Sequence, residues 1–287
     1  MEWLIFAFLT ALLDASKDML GKKLSRQVDP SLLALAFFWP AIPFLLPILW
    51  LDHPVTTPLF WGAACGSALL NALATTFYVH AITHSHISLV IPMIALSPVV
   101  LLFTSPLMIG EVPSPAGSFG VVLMALGTWW LKREEAHRGW LAPWHALFNH
   151  RGARLMLGVA IIWGVSANLD KIAVQESTPL YYSLMVVLIQ TLILTLPVWS
   201  KRQQMVTLLY NHAPYLLLLG AVMAAMIYAN MAAISLGMVA YVIAIKRSSV
   251  LFGVVIGHLV FGEEGFRHRL TGAALMVAGM VMVVLQG

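Results

Sequence analysis

The chain has 287 residues, of which 60% are apolar and only 10% charged, and its mean hydropathy is +0.88. Soluble domains carry about 25% charged residues, so this composition excludes a water-soluble globular protein and indicates the bilayer as the solvent. The formal charge of +4 is spread over separate short loops, which argues against a nucleic-acid-binding surface.

Apolar segments of membrane-spanning length follow one another along the whole chain. Charges, prolines or glycines separate them, and they fall at 3–20, 32–51, 58–81, 87–109, 115–131, 155–173, 180–199, 213–235, 238–261 and 270–286. We therefore predict an all-α membrane protein with ten transmembrane helices. The joins at 81–87 and 235–238 are only a few residues long, and a re-entrant segment is the alternative there.

A polar stretch from Lys132 to Arg154 divides the chain almost in half. When the sequence is shifted by 152 residues, the two halves match at several positions without a gap, which indicates an internal repeat. The matches are Ala81 with Ala233, Ile82 with Ile234, Gly110-Glu111 with Gly262-Glu263, Gly120 with Gly272 and Gly127 with Gly279. We predict a first five-helix repeat over 1–131, a basic cytoplasmic linker over 132–152 and a second repeat over 153–287.

The positions of Lys and Arg predict the orientation of the chain. Ten spans place the odd-numbered loops on one side of the membrane, and these loops hold twelve of the 16 Lys and Arg residues. By the positive-inside rule that side is cytoplasmic, so we predict a protein of the cytoplasmic (inner) membrane with both termini outside. Because each half has five spans, the halves cross in opposite directions, as in the inverted repeats of many secondary transporters.

The repeated glycines, the Gly-Glu pairs and the tight join that follows Tyr78 resemble the EamA family of the drug/metabolite transporter superfamily. Trp163-Gly164 and Asn168 in the sixth span also match the start of that family's second repeat. The resemblance implies a ten-helix transporter in which helices 1–4 and 6–9 surround a central cavity. It also implies that helices 5 and 10 lie at the periphery.

Lys246 and Arg247 fall near the middle of the ninth span, where an ionised group costs several kcal/mol unless it faces a cavity or a partner. The pair therefore predicts either a site for an anionic group of a substrate or an internal ion pair. Adjacent residues on a helix point about 100° apart, so we expect the two side chains to serve different surfaces. The fourth span has Ile94 and Ala95 in their place, which breaks the repeat symmetry.

The first span offers acidic partners for these cations. Asp14 and Asp18 lie one helical turn apart, with Lys17 between them. One interpretation is that Asp14 neutralises Lys246 or Arg247, or carries a proton that couples transport. The alternative is a local Asp14–Lys17 ion pair near the cytoplasmic interface.

The remaining predicted substrate-binding residues are neutral polar or aromatic side chains within the spans. They are Asn71, Tyr78, Trp163, Asn168, Tyr228, Asn230, Tyr241 and Ser248. Each of them can instead hold helices together, at roughly 1 kcal/mol per hydrogen bond. Glu111, Asp170 and Lys171 lie near the ends of spans, where we expect them to anchor or cap helices.

The chain lacks the H-E-x-x-H, G-x-S-x-G and P-loop motifs, so we predict neither an enzyme nor a cofactor or metal site. Inverted repeats with buried cations favour a secondary active transporter for a small metabolite with an anionic group, such as an amino acid or other carboxylate. A flippase for a phosphate-bearing lipid or lipid-linked precursor is the alternative. The predicted partners are a small-molecule substrate, membrane lipid and a coupling proton or other ion, without nucleic acid.

Overall fold

The computed structural model describes residues 1–25, 28–84, 93–133, 151–252 and 266–286, and the regular structure within these ranges is entirely helical. The all-α prediction is therefore confirmed for the described residues. The helical stretches are α1 (Glu2–Leu24), α2 (Pro30–Leu51), α3 (Pro58–His84), α4 (Ser97–Met108), α5 (Pro115–Arg133), α6 (Arg151–Gln175), α7 (Pro179–Thr195), α8 (Arg202–Leu236), α9 (Val239–Lys246) and α10 (Phe266–Gln286).

Four of the described stretches are long and apolar enough to cross a membrane on length and composition alone. They are Pro30–Leu51, Pro58–Thr83, Arg151–Gln175 and Pro179–Leu236, the last of which contains both α7 and α8. Ser97–Met108 and Thr271–Gln286 are shorter apolar helices. The number of ten spans therefore stays a prediction.

Prolines interrupt two of the stretches, because proline lacks a backbone N–H and its ring clashes with the preceding helical turn. α2 consists of short pieces with a 3₁₀ turn over Trp39–Ala41 in the middle. α8 has non-helical backbone at His212, two residues before Pro214. The predicted start of the eighth span at 213 thus coincides with a kink, and the helix extends back to Arg202.

The main helix contacts join the two predicted repeats. α1 packs along α8, α3 packs along α6, and α5 packs along α10. α1 and α6 come first in their repeats, whereas α3 and α8 come third. The first two contacts are therefore equivalent when the halves are exchanged, and the two-repeat architecture fits this arrangement.

Two of the glycine pairs that match between the halves, Gly120 with Gly272 and Gly127 with Gly279, lie where α5 meets α10. A Cβ atom added at Gly279 would lie 2.5 Å from the carbonyl oxygen of Gly120, and one added at Gly127 would lie 2.8 Å from that of Gly272. Only residues without a side chain allow two helix backbones to approach this closely. The repeated glycines are therefore explained by the packing of the two helices.

A helix break occurs at the same place in both halves. α9 ends at Lys246, where the backbone N–H of Ser248 bonds to the carbonyl of Ile245 at 2.9 Å. Just before α4, the N–H of Leu96 bonds to the carbonyl of Met93 at 3.1 Å. These two i→i+3 bonds lie 152 residues apart, so the tight turn belongs to the repeat itself.

Candidate functional site

A cavity of about 170 Å³ lies between the two predicted repeats. Its lining residues come from α1, α2, α3, α6, α7, α8 and α9, together with Ile94 just before α4. No described residue of α5 or α10 lines it. This arrangement agrees with the central cavity and the peripheral fifth and tenth helices that the family resemblance implies.

Many of the lining residues are related by the shift of 152 residues. The pairs are Asp14 with Ser166, Asp18 with Asp170, Phe38 with Gln190, Asn71 with Met223, Thr75 with Ile227, Tyr78 with Asn230 and Ile94 with Lys246. Equivalent positions of the two halves therefore both contribute to the wall of the cavity, which fits the two-repeat architecture. Most of the pairs differ in polarity or charge, so the wall itself is asymmetric.

Lys246 and Arg247 both line the cavity. Our expectation that they serve different surfaces was wrong, because α9 ends at Lys246 and the chain turns there. Arg247 donates to Ser97 Oγ from Nη2 at 2.8 Å and from Nε at 3.2 Å, and its guanidinium carbon lies 5.4 Å from the centre of the Trp163 ring. Lys246 makes no hydrogen bond and no ion pair with the residues that the structure describes.

The charges of α1 are arranged as a local cluster. The ammonium of Lys17 lies 2.7 Å from Asp14 Oδ1 and 3.1 Å from Asp18 Oδ1. Of the two interpretations of Asp14, the structure therefore contains the local ion pair. Within the described residues neither acid forms an ion pair with Lys246 or Arg247, although all five groups line the same cavity.

Asp170 is an acidic cavity residue that the sequence interpretation missed, since we expected it at a membrane interface. It is only 6% exposed, and its Oδ1 accepts hydrogen bonds from the Tyr182 hydroxyl at 2.5 Å and from the Ser67 hydroxyl. Asn71 donates to Ser67 Oγ at 3.0 Å. One signal could have located it, because a shift of 152 residues places Asp170 on Asp18.

Four of the neutral residues predicted to bind substrate do line the cavity: Asn71, Tyr78, Trp163 and Asn230. The rings of Tyr78 and Trp163 lie 5.8 Å apart and form one aromatic patch with the Arg247 guanidinium. Asn230 Oδ1 is buried and has no hydrogen-bond partner among the described residues. It is therefore an available acceptor within the cavity region.

Asn168 and Tyr241 do not line the cavity but tie helices together. Asn168 Nδ2 donates to Thr104 Oγ1 at 3.0 Å, and its Oδ1 accepts from Ser105 Oγ at 2.8 Å, so it joins α6 to α4. The Tyr241 hydroxyl accepts the Ser114 backbone N–H at 3.1 Å. These contacts correspond to the helix-holding alternative for both residues.

Tyr228 and Ser248 also lie outside the cavity lining. The Tyr228 ring packs edge-on against Phe6 of α1, with 6.2 Å between the ring centres. Ser248 is 1% exposed, and its hydroxyl has no hydrogen-bond partner among the described residues. Neither side chain is placed to contact a molecule in the cavity in this conformation.

Glu111 and Lys171 hold the turn between α8 and α9. The Lys171 ammonium donates to the carbonyls of Ile234 at 2.7 Å and Gly237 at 3.1 Å, and lies 3.2 Å from Glu111 Oε1. Glu111 Oε2 accepts the backbone N–H of Val239 at 2.7 Å. A cation at a helix C-terminus and an anion at a helix N-terminus each interact favourably with the helix dipole. The expectation that these two charges cap helices is confirmed.

The sequence model of the EamA-like transporter family matches residues 1–133 and 150–285. The chain belongs to the EamA-like transporter family. It is therefore a multi-pass membrane protein of the drug/metabolite transporter type, and the EamA family implies a small-molecule substrate. The two matched segments correspond to the two halves that surround the cavity.

A protein crystal structure superposes on this EamA chain with a TM-score of 0.77 at 16% sequence identity. The match covers 100% of this chain and 99% of the other. At this identity it shows a shared fold alone. No curated protein matches the chain at a significant level.

Proposed function

We propose that this EamA protein is a secondary active transporter for a small metabolite with an anionic group, such as an amino acid or other carboxylate. The observation that carries the proposal is the ammonium of Lys246, which lines the cavity without a hydrogen bond or ion pair from the described residues. An unpaired cation at membrane depth costs several kcal/mol. An anionic group bound beside it would offset that cost.

Arg247 supports the same proposal because contacts within the protein already fix the position of its guanidinium. Its two hydrogen bonds to Ser97 and its contact with the Trp163 ring restrict the guanidinium before any ligand arrives. A restricted side chain loses less conformational freedom on binding. Lys246 and Arg247 would thus provide one adaptable and one fixed cation at the same end of the substrate.

The charge balance of the lining favours an amino acid or a similar molecule. Formally ionised, the lining holds equal numbers of acidic and basic groups: Asp14, Asp18 and Asp170 against Lys17, Lys246 and Arg247. A zwitterion would keep that balance, whereas a simple anion or cation would change it. The apolar part of the wall, with Phe37, Phe38, Met223, Met226 and Met231, would contact the body of the substrate.

In this proposal the repeats over 1–131 and 153–287 rock against each other and expose the cavity to each side in turn, without enzymatic chemistry, a cofactor or nucleic acid. We further propose that residues 132–152 form a basic linker on the cytoplasmic side and that the protein lies in the cytoplasmic membrane. The family match does not favour the flippase alternative. Membrane lipid is then the solvent of the helices rather than the cargo.

The transport proposal is tested with the purified full chain in liposomes and pools of radiolabelled anionic, zwitterionic and cationic metabolites. We expect uptake of anionic or zwitterionic compounds, and a decrease of about 10- to 100-fold for Lys246→Ala, the equivalent of losing one charged hydrogen bond. Lys201→Ala, which changes a partly exposed lysine paired with Asp29 outside the cavity lining, is the matched control. Transport of cations alone, together with normal uptake by Lys246→Ala, would refute the anion site.

The orientation is tested separately. We propose that both termini lie outside the cytoplasm, since the basic loops lie on the opposite side. A reporter that is active only in the periplasm, fused after Gly287, should be active. Activity of a cytoplasmic reporter at the same position would reverse the proposed orientation without affecting the substrate site.

A further inference from the structure

The three carboxylates of the cavity differ in how their charge is balanced. Asp14 and Asp18 both lie within ion-pair distance of Lys17. Asp170 forms no ion pair with any described residue and is held only by the hydroxyls of Tyr182 and Ser67. A carboxylate beside a cation keeps its charge, whereas a buried one without such a partner can become neutral by binding a proton.

The surroundings of Asp170 have opposite effects on whether its carboxyl group is ionised. Tyr182 on α7 and Ser67 on α3 both donate to Oδ1, and such donors favour the ionised form. Lys246 on α9 lines the same cavity, and a cation there would act in the same direction. Burial acts in the other direction because it favours the neutral acid. Lys171, the next residue, is engaged at the α8–α9 turn instead.

Asp170 also lies where the two halves meet. Its carboxylate and Tyr182 belong to the second half, whereas Ser67 and Asn71 belong to the first. The same network returns to the second half through Ser166, whose hydroxyl lies 3.4 Å from Asn71 Oδ1. Hydrogen bonds to an ionised acceptor are about twice as strong as those to a neutral one. Protonation of Asp170 would therefore weaken a contact between the halves.

We propose that Asp170 is a proton-binding site that takes up one proton from water on one side of the membrane and releases it on the other during each transport cycle. This inference rests on the proposed transport function. It replaces Asp14 and Asp18 as the coupling residues, because both of these lie within ion-pair distance of Lys17, whereas Asp170 has no ion pair among the described residues. The exchange converts a carboxylate and a proton into a carboxylic acid and back, and it requires no other reactant.

The first test needs no substrate. Acid-minus-alkaline infrared difference spectra of the reconstituted full chain should contain the carbonyl band of a protonated carboxylic acid. The band should be absent in Asp170→Asn and displaced in Asp170→Glu, which keeps the acid. Asp52→Asn, a carboxylate outside the cavity lining, is the control that should leave the band unchanged. If the wild-type chain and Asp170→Asn have the same titrating band, Asp170 is not the proton site.

The second test connects the site to transport. Liposomes that contain the protein and a trapped pH-sensitive dye receive an unlabelled pool of amino acids. We expect an internal pH change with the wild-type chain and none with Asp170→Asn. Exchange of labelled for unlabelled amino acids, measured on the same liposomes, reports whether the variant still binds the substrate. A persistent pH change in Asp170→Asn would overturn the proposal. Loss of exchange in a correctly folded Asp170→Asn would do the same, since it would assign Asp170 to the substrate's amino group.

The two tests separate this inference from the transport proposal. A titrating band that depends on Asp170 supports the proton site even if no metabolite pool is carried. Transport of amino acids without such a band supports the transport proposal and refutes the proton site.

Discussion

Asp18 and Asp170 occupy the same position in α1 and α6, yet Asp18 lies within ion-pair distance of Lys17, whereas among the described residues only hydroxyl groups bond to Asp170. The same comparison applies to Ile94 and Lys246, which face the cavity from equivalent turns. In the first half the two acids share Lys17, whereas in the second half Asp170 and Lys246 form no ion pair with the described residues. A duplicated fold thus sets where side chains can meet, and single differences between the halves set what they can bind.

The α8–α9 turn gives the largest expected effect. Lys171 holds it, and the equivalent position in α1 is Met19. Lys171→Met would leave Glu111 without its cation. Because the Lys171 side chain is only 8% exposed, this change should lower the free energy of unfolding by about 3–5 kcal/mol. Reversible unfolding in detergent measures the loss, with Met19→Leu as the matched control.

A double-mutant cycle makes the Lys171 prediction more specific. Glu111→Gln removes the other charge, so the double variant with Lys171→Met should be less destabilised than the sum of the two single variants. Simple additivity would contradict the role of the ion pair. It would leave only the carbonyl contacts of Lys171 with Ile234 and Gly237 to explain its effect.

The difference between Ile94 and Lys246 at the two helix breaks can be reversed by mutation. Lys246→Ile should decrease uptake of the carried anionic or zwitterionic pool by about 10- to 100-fold. Adding Ile94→Lys returns a cation to the same cavity from the equivalent position and should recover at least a few-fold of that loss. Liposome uptake is the measurement. If the double variant is no better than Lys246→Ile, the cavity depends on the position of the cation and not on its presence.

The sequence was sufficient for the parts of this molecule that follow from local patterns. Apolar runs predict the helices because a spanning segment must be apolar along most of its length. The matched glycines predicted a repeat, and in the structure Gly120, Gly127, Gly272 and Gly279 lie at close contacts between α5 and α10. Lys246 and Arg247 were identifiable because two adjacent charges inside an apolar run are costly wherever the helix lies.

The details of the site could not be obtained in the same way. Periodicity assigns residues to faces only if the helix is continuous, and the turn after Lys246 breaks that assumption for Arg247. Whether a polar residue faces the cavity or a neighbouring helix depends on packing, which is why Asn168 and Tyr241 tie helices instead. We predicted Asp170 at the membrane interface because the sequence alone does not show how deeply a residue is buried. Its equivalence to Asp18 does follow from the repeat.

At the contact between α5 and α10, equivalent substitutions in the two halves should have similar effects on stability. Gly127 and Gly279 are equivalent, and a Cβ atom at either would lie within 2.8 Å of a carbonyl oxygen of the opposite helix. Gly127→Ala and Gly279→Ala should therefore each cost about 1–3 kcal/mol of stability, as overpacked sites do. Thermal unfolding in detergent measures both. Gly62→Ala, with nothing within 4 Å of its added Cβ, should change stability by less than about 0.5 kcal/mol.

The smallest expected effect lies outside the spans, where Asp29 of the first half meets Lys201 of the second at 2.8 Å. The hydrogen bond from Lys201 lowers the pKa of Asp29. Stabilisation by a carboxylate with a lowered pKa is complete above the unfolded value of about 4 and is lost as the pH falls through the folded value.

Asp29→Asn keeps an acceptor for the Ser31 backbone N–H at the start of α2 but removes the charge. The Asp29 side chain is 35% exposed, so the loss at neutral pH should be below about 1 kcal/mol and smaller still at high salt. Melting curves of both proteins against pH should converge in acid, because the wild-type carboxylate is neutral there as well. A difference that persists or widens in acid would show that the Asp29 charge contributes nothing to the contact between the halves.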